Sequence, residues 1–96
     1  MVYGALQVDL RLDNTHSLKD KRSVLRKQIE KIRNAFGVSI HEVGDHDLYG
    51  NGQLGIAVAG SDAVQVEKVL QPTLRMIEEN PSVQVTDSVI HVDHLK

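Results

Sequence analysis

The chain has no cysteine and no tryptophan, and its 96 residues include only two tyrosines and one phenylalanine. The absence of cysteine excludes disulfide-stapled folds, thiolate zinc sites and cysteine nucleophiles. Long apolar runs are also absent, and the apolar N-terminal segment contains Asp9 and Arg11, which argues against a signal peptide or a membrane-spanning helix there. We therefore expect a cytoplasmic protein that has no membrane association.

The remaining composition is typical of one compact domain. Hydrophobic residues make up 41% of the chain and charged residues 25%, and no segment is of low complexity. A chain of 96 residues can enclose one hydrophobic core but not two. We expect a single domain that spans residues 1–96.

Charge is distributed unevenly along the chain. Residues 17–36 contain seven lysines and arginines but only two acids, a net charge of +5. The remainder contains four lysines and arginines and eleven acids, a net charge of −7. Most of the surface would therefore repel nucleic acid, and only the segment 17–36 could attract it.

The first half of the chain predicts a strand, a helix and a second strand. Residues 2–13 alternate between apolar and other side chains, as expected of a half-buried strand. Apolar residues then recur at helical spacing from Leu18 to Phe36, and Gly37 stands where a C-cap belongs. Residues 38–43 complete this half as a strand.

The second half predicts two strands that flank a helix. Residues 53–60 form a strand that follows a type I′ hairpin turn at Asn51-Gly52. A helix capped by Ser61 or Asp62 comes next, and Pro72 should kink or split it because proline lacks the N–H donor. Residues 83–94 form the last strand, whose apolar phase slips near Asp87 and so predicts a bulge.

The order β-α-β-β-α-β is typical of a ferredoxin-like sandwich of the α/β (α+β) class. In this fold both helices cover one face of a four-stranded antiparallel sheet. Right-handed crossovers place the strands in the spatial order 4-1-3-2. The start of the first helix and the hairpin after the second strand then lie at the same end of the domain.

The most distinctive segment is the start of the first helix, residues 16–23. Ser17 is a good N-cap, and Asp20 completes a capping-box pattern. Lys19, Lys21 and Arg22 follow at the positive end of the helix dipole, where an exposed cation costs about 0.3 to 1 kcal/mol. So many cations there suggest that an anion outside the helix attracts them.

Four of the helix cations lie along one edge of the apolar stripe, given a rotation of about 100° per residue. We call this set the basic border: Lys19, Arg22, Arg26 and Arg33. With His16 and Lys21 they form the candidate anion- or RNA-binding set, because arginine binds phosphate in bidentate geometry. A solvated helix face and a site for an acidic protein are the alternatives.

The predicted hairpin loop carries Asp45, His46 and Asp47. We interpret Asp45 and Asp47 as charge partners of the helix start. A catalytic role with His46 as base is the less favoured interpretation, since no nucleophile or oxyanion motif accompanies these residues. The five histidines are spread over the predicted fold, which argues against a metal site. We expect a non-catalytic protein that uses no metal or cofactor.

The open face of the predicted sheet carries small side chains where an RNA-recognition motif carries aromatic ones. Small side chains favour close packing against a second copy of the chain, so this face is the candidate homodimer surface. Its predicted members are Tyr3, Ala5, Gly55, Ala57 and Ala59. A solvated face is the alternative.

Five short motifs are informative together: His16-Ser17-Leu18-Lys19-x-Lys21-Arg22, Arg33-Asn34-x-Phe36-x-Val38-Ser39, Glu42-Val43, Asp47-Leu48 and Gly55-Ile56-Ala57-Val58. This set resembles the bacterial YlxP-like family, which is a family of unknown function. The resemblance implies a ferredoxin-like fold and a cytoplasmic location. Members are often encoded beside transcription-termination, translation-initiation and ribosome-maturation factors, which implies a partner that is RNA or the ribosome.

We therefore expect a non-catalytic module that binds structured RNA or a ribosomal particle through the basic border. One alternative is a dimeric regulatory or adaptor domain that binds an acidic protein. Another is an acylphosphatase-like phosphohydrolase, since acylphosphatases share this topology and hold phosphate in a glycine-rich loop after the first strand. Residues 13–16 contain no glycine, which argues against that activity.

Overall fold

The computed structural model describes residues 1–44 and 48–96, and these ranges contain four strands and two helices. In chain order they are β1 Val2–Arg11, α1 Leu18–Phe36, β2 Ser39–Gly44, β3 Asn51–Gly60, α2 Ala63–Glu78 and β4 Gln84–His94. The strands form one antiparallel sheet in the spatial order β2-β3-β1-β4. The predicted ferredoxin-like fold and its strand order are confirmed.

Both helices pack on the same face of the sheet, where the alternate residues of β1 are buried. A Cβ atom placed on Gly4 would lie 2.5 Å from Val66 Cγ1 and 2.7 Å from Leu70 Cδ1, so α2 crosses β1 at a point with no room for a side chain. A Cβ on Gly52 would lie 3.4 Å from Leu25 Cδ1 of α1. Gly4 thus leaves room for α2 against β1, and Gly52 lies under Leu25 of α1.

The predicted bulge in the last strand is present. Asp9 of β1 pairs with Asp87, but the next residue, Leu10, pairs with Val85. Thr86 is therefore the additional residue, and its Oγ1 donates to the Asp9 carbonyl oxygen at 3.2 Å. The bulge restores the apolar phase of β4, as a single inserted residue must.

The prediction of a type I′ turn at Asn51-Gly52 is wrong. Asn51 pairs with Arg11 and Gly52 with Leu10, so both residues belong to β3. A type I′ turn needs positive φ at both central positions, and in the described part of the chain the only glycine with positive φ is Gly37, at 62°. Pairing with β1 and burial under α1 outweigh the local turn preference.

Pro72 does not split the second helix, which runs without interruption from Ala63 to Glu78. Proline removes the N–H that would donate to the carbonyl four residues earlier. The next residue, Thr73, is buried, and its hydroxyl donates to the Val69 carbonyl oxygen at 2.8 Å. A side-chain donor thus adds a hydrogen bond in the turn that the proline weakens.

Neither helix in the described residues is long and apolar enough to cross a membrane.

Replacement of Gly4 by alanine should lower the free energy of unfolding by about 1 to 3 kcal/mol, because the new methyl group overlaps Val66 and Leu70. Gly50→Ala is the matched control, since a Cβ there meets no atom within 4 Å. Urea denaturation measures both variants. Equal midpoints for Gly4→Ala and the wild type would contradict the close contact between α2 and β1.

Candidate functional site

The start of α1 has the capping geometry that the sequence predicts. Ser17 has extended backbone angles, and its Oγ accepts from the Asp20 N–H at 3.1 Å. The Asp20 carboxylate in turn accepts from the His16 N–H at 3.1 Å. At the other end, the Gly37 N–H donates to the Arg33 carbonyl oxygen at 3.0 Å. Both ends of the helix are fixed by the residues identified as caps.

The most unexpected feature of this helix is Lys21, which is 1% exposed. Its Nζ lies 2.9 Å from Glu42 Oε2 on β2 and donates to the Leu48 carbonyl oxygen at 2.7 Å. This placement differs from the expectation of a surface cation that awaits an external anion. The Lys21 ammonium group instead joins the first turn of α1 to β2 and to the segment that precedes β3.

The helical spacing carries a signal for the burial of Lys21. The buried residues of α1 are Lys21, Leu25, Gln28 and Ile32, which follow one another at intervals of four, three and four residues. Such intervals define one helix face. Gln28, on this face, accepts a hydrogen bond from Asn80 Nδ2 at 2.5 Å. A lysine in register with Leu25 and Ile32 is therefore a candidate for an internal ion pair.

The carbonyl groups of the three residues before β3 accept hydrogen bonds from residues between the end of β1 and the first turn of α1; we call residues 48–50 the anchored segment. The Leu48 oxygen accepts from Lys21 Nζ, and the Gly50 oxygen accepts from the Leu12 N–H at 3.0 Å. The Tyr49 oxygen lies 2.6 Å from Oγ1 of Thr15, which is buried. Main-chain atoms of this segment therefore face inward.

The basic border lies on the surface, as predicted. Lys19, Arg22 and Arg26 are exposed, and none of them forms an ion pair or hydrogen bond within residues 1–44 and 48–96. Arg33 is also exposed, but its Nη2 donates to the Ile40 carbonyl oxygen at 3.0 Å. This contact places the basic border beside β2, an edge strand of the sheet.

His16 is exposed at the end of the domain where α1 begins. Asp45 and Asp47, the predicted charge partners of the helix start, lie outside the described residues, as does His46. The acid that the structure does place beside a first-turn cation is Glu42, which sequence analysis did not assign to this role.

The residues predicted as a dimer face lie together on the open side of the sheet. Tyr3 pairs with Ala59, and Ala5 pairs with Ala57. A Cβ on Gly55 would lie 2.7 Å from Val43 Cγ1, so the Val43 side chain covers this glycine. A valine therefore projects from a surface that the sequence pattern describes as smooth. The homodimer through this face stays a prediction.

The histidines of β4 form a small polar group at the edge of the sheet. His91 Nε2 lies 3.5 Å from Asp93 Oδ2. The His94 N–H donates to Asp93 Oδ1 at 2.7 Å and, with His91 acting in the same direction, holds the pKa of the Asp93 carboxyl below its ordinary value. The described ranges contain no group of three or more histidines, aspartates or glutamates that could hold a metal ion.

Comparison with known proteins assigns the family. The profile described as "Protein of unknown function (DUF503)" matches residues 3–90. The chain belongs to the DUF503 family. A relative, the uncharacterised protein YlxP of Bacillus subtilis strain 168, is 41% identical over 70 residues, which cover 73% of this chain and 76% of YlxP. The resemblance inferred from the sequence motifs is confirmed.

Solved structures similar to this DUF503 chain have low sequence identity to it. SnoaB, a cofactor-independent oxygenase from Streptomyces nogalater, has a TM-score of 0.54 at 9% identity, with 98% of this chain and 93% of SnoaB covered. A dimeric ferredoxin-like protein of unknown function from Thermobifida fusca has a TM-score of 0.43 at 15% identity, with 97% and 92% covered. The likeness to SnoaB concerns the fold alone.

Replacement of Lys21 by methionine should destabilise the DUF503 fold by about 2 to 3 kcal/mol. The methionine fills similar space but leaves the partly buried Glu42 carboxylate without its lysine. Lys19→Met, at an exposed position of the same turn, should change stability by less than about 0.5 kcal/mol. Urea denaturation measures both variants.

A double variant separates the ion pair from simple loss of packing. Lys21→Met combined with Glu42→Gln should lose less stability than the sum of the two single variants, because neither charge is then left alone. Additive losses, or equal losses for Lys21→Met and Lys19→Met, would contradict a structural role for this pair.

Proposed function

We propose that this DUF503 protein is a non-catalytic module that binds structured RNA, free or within a ribosomal particle, through the basic border of α1. The observation that carries the proposal is that Lys19, Arg22 and Arg26 are exposed and have no charge partner among the described residues. Exposed cations held in a row on one helix suit a polyanion whose charges are also arranged in a row.

The distribution of charge supports a polyanion over an isolated anion. The basic border extends from Lys19 to Arg33, about 21 Å along the helix at about 1.5 Å per residue. The chain outside residues 17–36 carries a net charge of −7. A ligand such as RNA would therefore be attracted to α1 and repelled elsewhere, which fixes how it can dock.

The burial of Lys21 also bears on the proposal. Of the three cations in the first turn, this one is held inside the protein, while Lys19 and Arg22 are exposed. The ion pair of Lys21 with Glu42 therefore does not offset the unfavourable interaction of Lys19 and Arg22 with the positive end of the helix dipole. Two of the four members of the basic border are thus exposed at the helix start without a charge partner in residues 1–44 and 48–96, where a phosphate would also meet the positive end of the dipole.

The loop that would hold phosphate in an acylphosphatase has other contacts here. Asp13 pairs with Arg11 at 2.9 Å, and the Thr15 hydroxyl lies 3.0 Å from the Leu12 carbonyl oxygen and 2.6 Å from that of Tyr49. The Asp13 carboxylate in this loop would repel an anion. The Thr15 hydroxyl already lies within hydrogen-bond distance of two carbonyl oxygens. These contacts favour a binding module over a phosphohydrolase.

Simultaneous reversal of Lys19, Arg22 and Arg26 to glutamate should abolish binding to a fluorescein-labelled RNA hairpin, measured by fluorescence anisotropy. For the wild type, the logarithm of affinity should fall against the logarithm of salt concentration with a slope of about −3 to −4, as expected when about four cations meet phosphates. All three positions are exposed, and glutamate at positions 19 and 22 suits the start of a helix, so the triple variant should remain folded.

The matched control is Lys68→Glu with Arg75→Glu and Lys96→Glu, which changes the net charge equally at exposed positions outside α1. This control should lose much less affinity than the α1 variant. Equal losses in both variants, or full binding by the α1 variant, would refute the proposal. Equally tight binding of polyglutamate would favour an acidic protein partner instead.

A further inference from the structure

The anchored segment combines a fixed main chain with exposed side chains. Its three carbonyl oxygens accept hydrogen bonds from Lys21 Nζ, Thr15 Oγ1 and the Leu12 N–H. Yet the side chain of Leu48 is 52% exposed and that of Tyr49 is 49% exposed. A leucine and a tyrosine are therefore displayed on a backbone that is already ordered. Little conformational entropy remains to be lost when such side chains contact a ligand.

The contacts of the anchored segment place the Tyr49 main chain near the start of α1. The Tyr49 main chain is held by Thr15, the residue before His16, and the Leu48 main chain is held by Lys21. Lys21 itself is flanked by exposed Arg22 and, two residues earlier, exposed Lys19. The Tyr49 backbone thus lies beside the start of α1, at the end of the domain where the basic border begins.

Elsewhere the described surface offers few places for an aromatic contact. The chain has two tyrosines, one phenylalanine and no tryptophan. Phe36 is packed against the core, and Tyr3 lies on the open sheet face, away from α1. Tyr49 is therefore the exposed aromatic residue that the fold brings to the cationic end of the domain.

We infer that Tyr49 is a stacking site for an unpaired nucleotide of RNA, with Lys19 and Arg22 holding the phosphates on either side; this inference rests on the proposed function. An exposed aromatic residue at the same end of the domain as exposed cations matches the two surfaces that an unpaired nucleotide presents, a flat base and an anionic backbone. A base-paired duplex hides its bases in the stack and offers the phosphates alone. The protein therefore prefers loops or single strands over duplex.

Tyr49→Ala should weaken binding to single-stranded oligouridine by about tenfold, because stacking on an aromatic side chain is lost. Affinity for a blunt RNA duplex of the same length should not change. Tyr49→Phe keeps the ring and should retain the affinity for oligouridine within about twofold. Fluorescence anisotropy with labelled RNA measures all three. The main-chain hydrogen bonds of residue 49 are present in every variant, so folding is preserved.

Tyrosine emission gives a direct test of contact, since the chain has no tryptophan. In the Tyr3→Phe variant Tyr49 is the single tyrosine, and its emission should fall as unlabelled oligouridine binds. In the Tyr49→Phe variant Tyr3 is the single tyrosine, and any loss of emission measures absorption by the RNA alone. A larger decrease in the Tyr3→Phe variant supports stacking on Tyr49.

The outcomes separate this inference from the proposed function. RNA binding that depends on Lys19, Arg22 and Arg26 but is unchanged in Tyr49→Ala would overturn the stacking site and leave the proposed function intact. Equal loss of emission in the two tyrosine variants would do the same. Failure of any RNA to bind the wild type would overturn both.

Discussion

An ammonium group inside a protein is stable only where other groups replace its lost water, and the surroundings of Lys21 meet this condition. Its partners come from separate parts of the chain, the Glu42 carboxylate on β2 and the Leu48 carbonyl oxygen before β3. The apolar contacts of α1 with the sheet are not directional. The polar contacts of Lys21 are, so they determine where the first turn of the helix lies relative to β2 and the anchored segment.

Helix geometry explains why neighbouring cations in one motif have different surroundings. At about 100° per residue, position 21 lies about 200° from position 19 and about 100° from position 22. If Lys21 faces the core with Leu25 and Ile32, then Lys19 must face nearly the opposite way. The three cations therefore cannot share one ligand. One contributes to the fold, and the other two contribute charge to the surface.

Local patterns were sufficient to predict most of the fold. The alternation in β1 and the caps at Ser17 and Gly37 depend on residues close in sequence, and the structure confirms them. The burial of Lys21 depends on a carbonyl group 27 residues away, which a search for helix cations does not consider. The local pattern at Asn51-Gly52 predicts a turn wrongly for the same reason, because the partners of these residues, Arg11 and Leu10, lie on another strand. The alternation of β1 and β3 predicts which residues lie on the open sheet face, but sequence alone does not place Val43 over Gly55.

The sheet of this protein supports the start of α1 and the anchored segment, and its own open face carries few aromatic residues. An RNA-recognition motif stacks bases on aromatic residues of its central strands. Here the open face of β1 and β3 carries Ala5, Ala57 and Gly55 at those positions, with Tyr3 near one end. The anchored segment lies instead where β1, α1 and β3 meet, and its main-chain oxygens accept hydrogen bonds from Thr15, Lys21 and Leu12. Because main-chain oxygens are present whatever the side chain, residues 48 and 49 can vary in contact chemistry while the backbone that presents them is retained.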